Sequence, residues 1–326
     1  MSDNCWLLVE TLGLKSEPTV VADGHRSRDW TSLSRARRNF GAVGSRLVSR
    51  AVARASAGHE VDSRESDLRV VALPIRCAFG AIHGVETWIG ESDQTPPPRR
   101  GIAAWDWLSK TELAHHGPGL EKLIWARAAE DVRVVRTPPE VFGRMVRFDR
   151  RLEYSAIVAG TDPSGRWQGE VEMRGDDDRV RCFQMIVRVH RDGGVVTRSL
   201  MHEISDVRSP QPTPELAVTR AAVQSDDVGV GFIELNFGVI WEWIRDPLPP
   251  LDRWAVERPE IHPDDLSAYR STCREVAERE QAGAPLVLTT RVRFDGTDWI
   301  PVRMEISCIS GALPQGIIRV SPAPPA

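Results

Sequence analysis

Apolar and polar residues alternate at period two from Trp167 to Ser199, and again more loosely from Leu286 to Val320, with Gly and Asp clusters breaking each run. Each run predicts three adjacent antiparallel strands joined by hairpin turns. The second is preceded by Ile261-His262-Pro263-Asp264-Asp265-Leu266 and a helical stretch, giving the order acidic helix start, helix, three strands. The pair reads as a duplicated module.

Upstream, Trp6–Glu10 and Thr19–Ala22 carry β-type residues and are separated by Gly13 and Pro18. Asp29 and Thr31 are placed to cap a helix in which Leu33, Phe40, Val43 and Leu47 share one face while Arg35, Arg38, Arg46 and Arg50 occupy much of the rest. Leu68–Ile75 and Ile82–Trp88 then return as strands. The run Thr95-Pro96-Pro97-Pro98-Arg99-Arg100 marks a boundary, because consecutive prolines stiffen the chain and cannot continue a ladder. Beyond it, Ala104–Leu108 reads as a strand. Thr137-Pro138-Pro139-Glu140 carries an N-cap, a proline at the first helical position and a capping-box glutamate, so a helix starts there. A second joint, Ser209 to Gln224, contains a short helix capped by Thr213. Such a helix carries a signal between neighbouring domains or pairs two protomers, or else packs as an ordinary surface helix. Val230–Leu235 and Val239–Ile244 follow as two strands joined through Asn236-Phe237-Gly238.

Composition narrows the functional classes. The 326 residues are 41% apolar, enough for a large core and two or three domains. No apolar run approaches the roughly 20 residues needed to span a bilayer, and no secretory leader is visible, so the expected location is cytoplasmic. The net charge of -4 argues against nucleic acid as a partner. Cys5, Cys77, Cys182, Cys273 and Cys308 are scattered, which predicts neither a disulfide framework nor a zinc cluster but small buried hydrophobes. The basic helix from Leu33 to Arg54 reads as a solvated arginine face over a core contact rather than a membrane- or nucleic-acid-binding surface.

Motifs that would carry catalysis are missing. There is no GxSxG elbow, no phosphate loop ending GK[ST] and no HExxH, so no enzyme is expected and no catalytic residue is assigned. His262-Pro263-Asp264-Asp265 fits a capped helix start better than a metal site. His115 and His116 face opposite sides of a strand and cannot share one metal, so they read as surface histidines. Asp176-Asp177-Asp178 lacks the alternating ligands of a calcium loop and reads as a hairpin turn. No cysteine or histidine is set to hold flavin or haem, so no cofactor and no metal is expected.

The order of elements in the first segment resembles a trimmed GAF domain, and the helix followed by three strands resembles the C-terminal half of a PAS domain. Through WLLVETLG, HGVETW, the paired three-strand runs and the stretch from Trp254 to His262-Pro263-Asp264-Asp265, the chain resembles a group of actinobacterial stand-alone proteins with a GAF-like unit and two PAS units. The middle unit departs from it in lacking the His-Pro-Asp-Asp segment. The resemblance implies an α+β chain of three serial units. They are GAF-like at 1–92, PAS-like at 101–208 and PAS-like at 226–324, with a linker helix at 209–225 and antiparallel five-stranded sheets. It also implies a non-catalytic intracellular sensor or signalling adaptor, pointing to lipid or sterol metabolism, that binds a small apolar ligand and acts through a protein partner; a homodimer is compatible with it. With the chain ending just after the last strand, no output module is expected. In PAS domains the cavity between sheet and helices holds apolar ligands, so the candidate pocket residues are Trp105, Trp107, Trp241 and Trp243, which are expected to share one face in each pair. Phe232, Ile233, Leu235, Val292, Trp299, Met304 and Ile306 join them in the last unit. Core packing or an inter-domain contact is the competing reading of the tryptophans, and a ligand-free interaction scaffold the competing reading of the chain.

Overall fold

A computed structural model describes residues 5–13, 17–36, 41–160, 162, 164–191, 194–211, 228–279, 283–309 and 313–323. They form three antiparallel sheets that follow one another along the chain. The N-terminal sheet holds β1 (Leu7–Glu10), β2 (Thr19–Asp23), β3 (Arg26–Ser32), β4 (Val61–Glu65), β5 (Leu68–Arg76) and β6 (Ile82–Glu91), in the order β3-β2-β1-β6-β5-β4. The middle sheet has seven strands: β7 (Ile102–Leu108), β8 (Leu113–His116), β9 (Val135–Arg136), β10 (Met145–Phe148), β11 (Arg166–Arg174), β12 (Val180–His190) and β13 (Val196–Glu203). The C-terminal sheet holds β14 (Gly229–Glu234), β15 (Val239–Arg245), β16 (Glu260–Ile261), β17 (Leu286–Arg293), β18 (Ile300–Cys308) and β19 (Gln315–Pro322), in the order β15-β14-β19-β18-β17-β16.

The three-strand runs legible in the sequence are β11–β13 and β17–β19, each paired in register as successive hairpins. The wiring recurs three times. The runs β4-β5-β6-β1-β2, β11-β12-β13-β7-β8 and β17-β18-β19-β14-β15 each place the unit's first strand between its second and its last. The expectation of five strands per sheet is corrected to six, seven and six. The additions are short or polar edge strands such as β16 and β3, whose residues RSRDWTS are largely exposed and carry no alternation to betray them. Asp29 and Thr31, expected as helix caps, lie on β3. Leu33–Ala36 form one helical turn, α1, and the basic helix proper is α2, Gly41–Ser56; Phe40 and most of the linker helix fall outside the described residues.

Chain contacts divide the molecule into two compact units. One comprises Met1–Trp107, His115–Val134 and Arg166–Pro210, and the other Leu108–Ala114, Val135–Gly165 and Gln211–Ala326. In the first, the apolar run at β1 is continuous because both faces are covered. Leu7 and Val9 pack with Leu47, Val48, Ala51 and Val52 of α2, while Leu8 turns the other way to meet Ile186 and Leu200 of the middle sheet. Polar links cross this second layer. Arg188 pairs with buried Glu10 at 2.9 Å, and the amides of Gln168 and Gln184 donate to the carbonyls of Val21 and His25. His116 is not the surface histidine expected. It is buried, 3.3 Å from Glu121 and packed against Trp125 in helix α3 (Leu120–Trp125).

In the second unit, Thr137 and Glu140 form the capping box expected of them and start α4, Pro138–Phe142. Helix α5 is Arg151–Ala159, and α6, Pro263–Ala277, lays Tyr269, Cys273 and Val276 on the C-terminal sheet. The expectation that Trp241 and Trp243 share a face is corrected by a β-bulge. Phe232 pairs with Glu242 and Ile233 with Ile240, so Trp241 has no opposite number and the alternation shifts. Trp243 enters the core under α6, whereas Trp241 stacks on Phe142 of α4 at 5.3 Å and meets Tyr154 of α5 edge-on. Arg151 of α5 donates to buried Glu242 at 2.6 Å on that side. Removing the indole leaves a void beside the Phe142 and Tyr154 rings: Trp241→Ala is expected to lower unfolding stability by about 3–5 kcal/mol in urea titrations.

Candidate functional site

Six of the candidate pocket residues pack against one another. Ile233, Leu235, Trp243, Val292, Met304 and Ile306 belong to one buried cluster with Trp254, Tyr269 and Phe294, and they fill the layer between sheet and helix. Phe232 lies under the Arg151 guanidinium, 4.8 Å from its ring centre. Trp299 is half-buried between His262 and Arg293. Trp105 and Trp107 are buried on β7 in the other unit. None of the eleven lines a cavity found among the described residues of the second unit.

That cavity has a volume of about 310 Å³ and is walled by the ends of elements rather than their middles. Thr137, Pro138 and Pro139 come from the start of α4, Phe237 to Ile240 from the β14–β15 turn, and Trp254 from a 3-10 turn. Glu257 to Ile261 form the approach to β16, and Pro263, Leu266, Tyr269 and Arg270 belong to the first turns of α6. Sequence reasoning read Thr137-Pro138-Pro139-Glu140 and His262-Pro263-Asp264-Asp265 as helix starts, and both are. His262 caps α6 by accepting from the Asp264 amide, and Asp265 is held to about pKa 2 by the Arg291 guanidinium and amide. That these two caps border one space follows from tertiary packing, which no spacing in the chain records.

At and behind the wall formed by Gly238 and Tyr269 lie groups whose pKa values burial raises. Gly238 has φ +67°, and a Cβ there would stand 2.8 Å from the Tyr269 ring. Only glycine fits both the backbone and the approach. The Tyr269 hydroxyl donates to the Gly238 carbonyl at 2.6 Å, and burial holds it protonated well above its ordinary range. Burial also pushes the Cys273 thiol up to about 12. Glu234, just behind the turn, accepts from the Phe237 amide at 2.8 Å through one carboxyl oxygen, while the other has no partner; desolvation raises its pKa to about 7.

Charge at the rim is uneven. Arg258 is tied to Glu112 at 2.6 Å, Glu257 accepts from Arg253, and Glu260 from Arg293. Arg270 lines the cavity with no hydrogen bond or ion pair among the described residues. The site therefore combines proline, aromatic and aliphatic walls with one uncommitted guanidinium. That arrangement suits a molecule with an apolar body and an anionic end.

Comparison with known proteins places the fold. The model of the Rv3651-like N-terminal family matches residues 5–98. The crystal structure of an uncharacterized protein from Mycobacterium tuberculosis superposes with a TM-score of 0.77 at 18% identity, covering 98% of this chain and 97% of that one. An RNA-binding light-oxygen-voltage receptor aligns over 68% of this chain and 95% of its own at 10% identity, but with a TM-score of 0.27. No curated protein matches the chain. No helix among the described residues is long and apolar enough to cross a membrane.

Two outcomes test the Gly238–Tyr269 wall and the group behind it. Gly238→Ala is expected to cost about 1–3 kcal/mol, read as a fall in the urea midpoint. The raised Glu234 pKa makes the folded chain hold a proton between about pH 4.5 and 7 that the unfolded chain has released, so stability is full below that window and declines as pH rises through it. Glu234→Gln should abolish the decline and raise stability at pH 8 by an amount on the order of 1–3 kcal/mol, measured by calorimetry at pH 5 and 8.

Proposed function

We propose that this chain is a non-catalytic sensor or signalling adaptor of the GAF/PAS kind, which binds a small, mainly apolar ligand with an anionic end and passes its state to a protein partner. The observation that carries this reading is the 310 Å³ cavity with unpaired Arg270 at its wall. Its volume lies at the lower end of the range of small-molecule sites, about 300–1,000 Å³. Apolar walls of Pro138, Pro139, Phe237, Ile261 and Leu266 supply burial, and the guanidinium supplies orientation through charge-assisted hydrogen bonds. The threefold recurrence of one sheet wiring supports the serial GAF/PAS architecture. The surrounding groups agree with a non-catalytic role, since Tyr269 and Cys273 are held neutral and engaged in packing. A tie to lipid or sterol metabolism accords with a ligand of this chemistry.

Titration with a medium-chain fatty acid and with the alcohol of equal length, followed by calorimetry, tests the reading. The carboxylate should bind one-to-one, and Arg270→Gln should weaken it about tenfold or more while leaving the alcohol unaffected. Absence of binding by both probes would remove the ligand and leave the interaction scaffold as the better account.

A further inference from the structure

Three side chains that the sequence keeps far apart meet inside the first unit. Cys77 follows β5, His83 is on β6 of the N-terminal sheet, and Asp106 is on β7 of the middle sheet. All three are buried, and a thiol sulfur, an imidazole nitrogen and a carboxylate oxygen from them lie within 4.8 Å of one another. His83 Nε2 is 2.6 Å from one oxygen of Asp106. The rest of the polar capacity is unspent: His83 Nδ1, the second oxygen of Asp106 and Nε2 of neighbouring His115 are buried without a hydrogen-bond partner. His115 lies within the electrostatic field of Asp106 and packs its ring on Phe79.

Such a cluster is costly as a plain core. A buried polar atom left unpaired costs about 1–3 kcal/mol, and Cys77 sits in an apolar cluster with Leu8, Ile75, Ala104, Ile186 and Leu200. One cation would satisfy several of these atoms together. Sulfur, imidazole and carboxylate together form a ligand set of the borderline-soft class that zinc prefers, and tetrahedral bonds of about 2.0–2.3 Å put ligand atoms roughly 3.3–3.7 Å apart. The His83–Asp106 separation of 2.6 Å is shorter than that figure, and all three ligand atoms fall within 4.8 Å of one another. A path also exists, because the turn Ala78–Ala81 above Cys77 is exposed, with Phe79 60% accessible.

We infer that Cys77, His83 and Asp106 form a binding site for a zinc-class divalent cation, which fastens the N-terminal sheet to the middle sheet. The three ligands come from both layers of the sandwich, so the ion acts as a cross-link whose binding energy adds to the stability of the unit.

Cobalt(II) titration of the metal-free full-length chain tests this. One Co(II) per chain is expected, with a thiolate-to-metal charge-transfer band in the near ultraviolet and the intense visible bands of a tetrahedral site, all bleached by equimolar Zn(II). Cys77→Ala should lose the charge-transfer band and Asp106→Asn the one-to-one binding, whereas Cys182→Ala should keep both. Zn(II) should raise the melting temperature of the wild type. The wild-type titration decides the matter even if a variant fails to fold: no stoichiometric Co(II) at millimolar metal, or binding without the thiolate band, overturns the assignment and leaves a hydrogen-bonded core. A thiolate band that persists in Cys77→Ala overturns it equally.

Discussion

The central strands of the N-terminal sheet have no face left for water, and this constraint organises the first unit. Helix α2 covers one side and the middle sheet the other, so successive residues of one strand, Leu7, Leu8 and Val9, enter different cores. Once both faces are dry, every polar group in the layer must find a partner inside it. Arg188 reaches Glu10, Gln168 and Gln184 reach backbone carbonyls, and Arg99 offsets the burial that drives Glu86 upward. These links set how the two sheets meet, since apolar contact alone is non-directional. Cys77, His83 and Asp106 belong to the same layer, and there pairing within the protein falls short.

The second unit meets the same demand through an irregularity. A regular β15 would send Trp241 and Trp243 to one side and leave the other dependent on smaller residues. The bulge sends one indole into the core beneath α6 and the other onto α4 and α5. A single extra residue therefore lets one strand anchor helices on both of its faces. The strand keeps its burial of apolar area on both sides, about 25 cal/mol per Å².

Regular elements were legible because alternation and caps are local. The strands β11–β13 and β17–β19, the Thr137–Glu140 capping box and the His262 cap all follow from residues within a turn or two of one another. Edge strand β3 escaped notice because an exposed edge needs no apolar residue to hold it. The face of Trp241 escaped because a bulge inverts parity without altering composition. The pocket candidates Ile233, Val292, Met304 and Ile306 lie in one buried cluster, where residues of this size interlock and close the space between them.

That last point explains where the cavity lies. Interdigitating side chains from the middle of a strand and the middle of a helix leave little room, whereas chain termini of elements diverge and cannot interlock. Proline deepens the effect, since Pro138, Pro139, Pro259 and Pro263 are stiff and carry no amide hydrogen to draw a neighbour closer. Glycine completes it: Gly238 turns the chain at positive φ and brings a carbonyl, not a side chain, against Tyr269. Room for a guest arises at these cap and turn residues, and Arg270, two helical turns into α6, is the charge that the same geometry leaves at its edge.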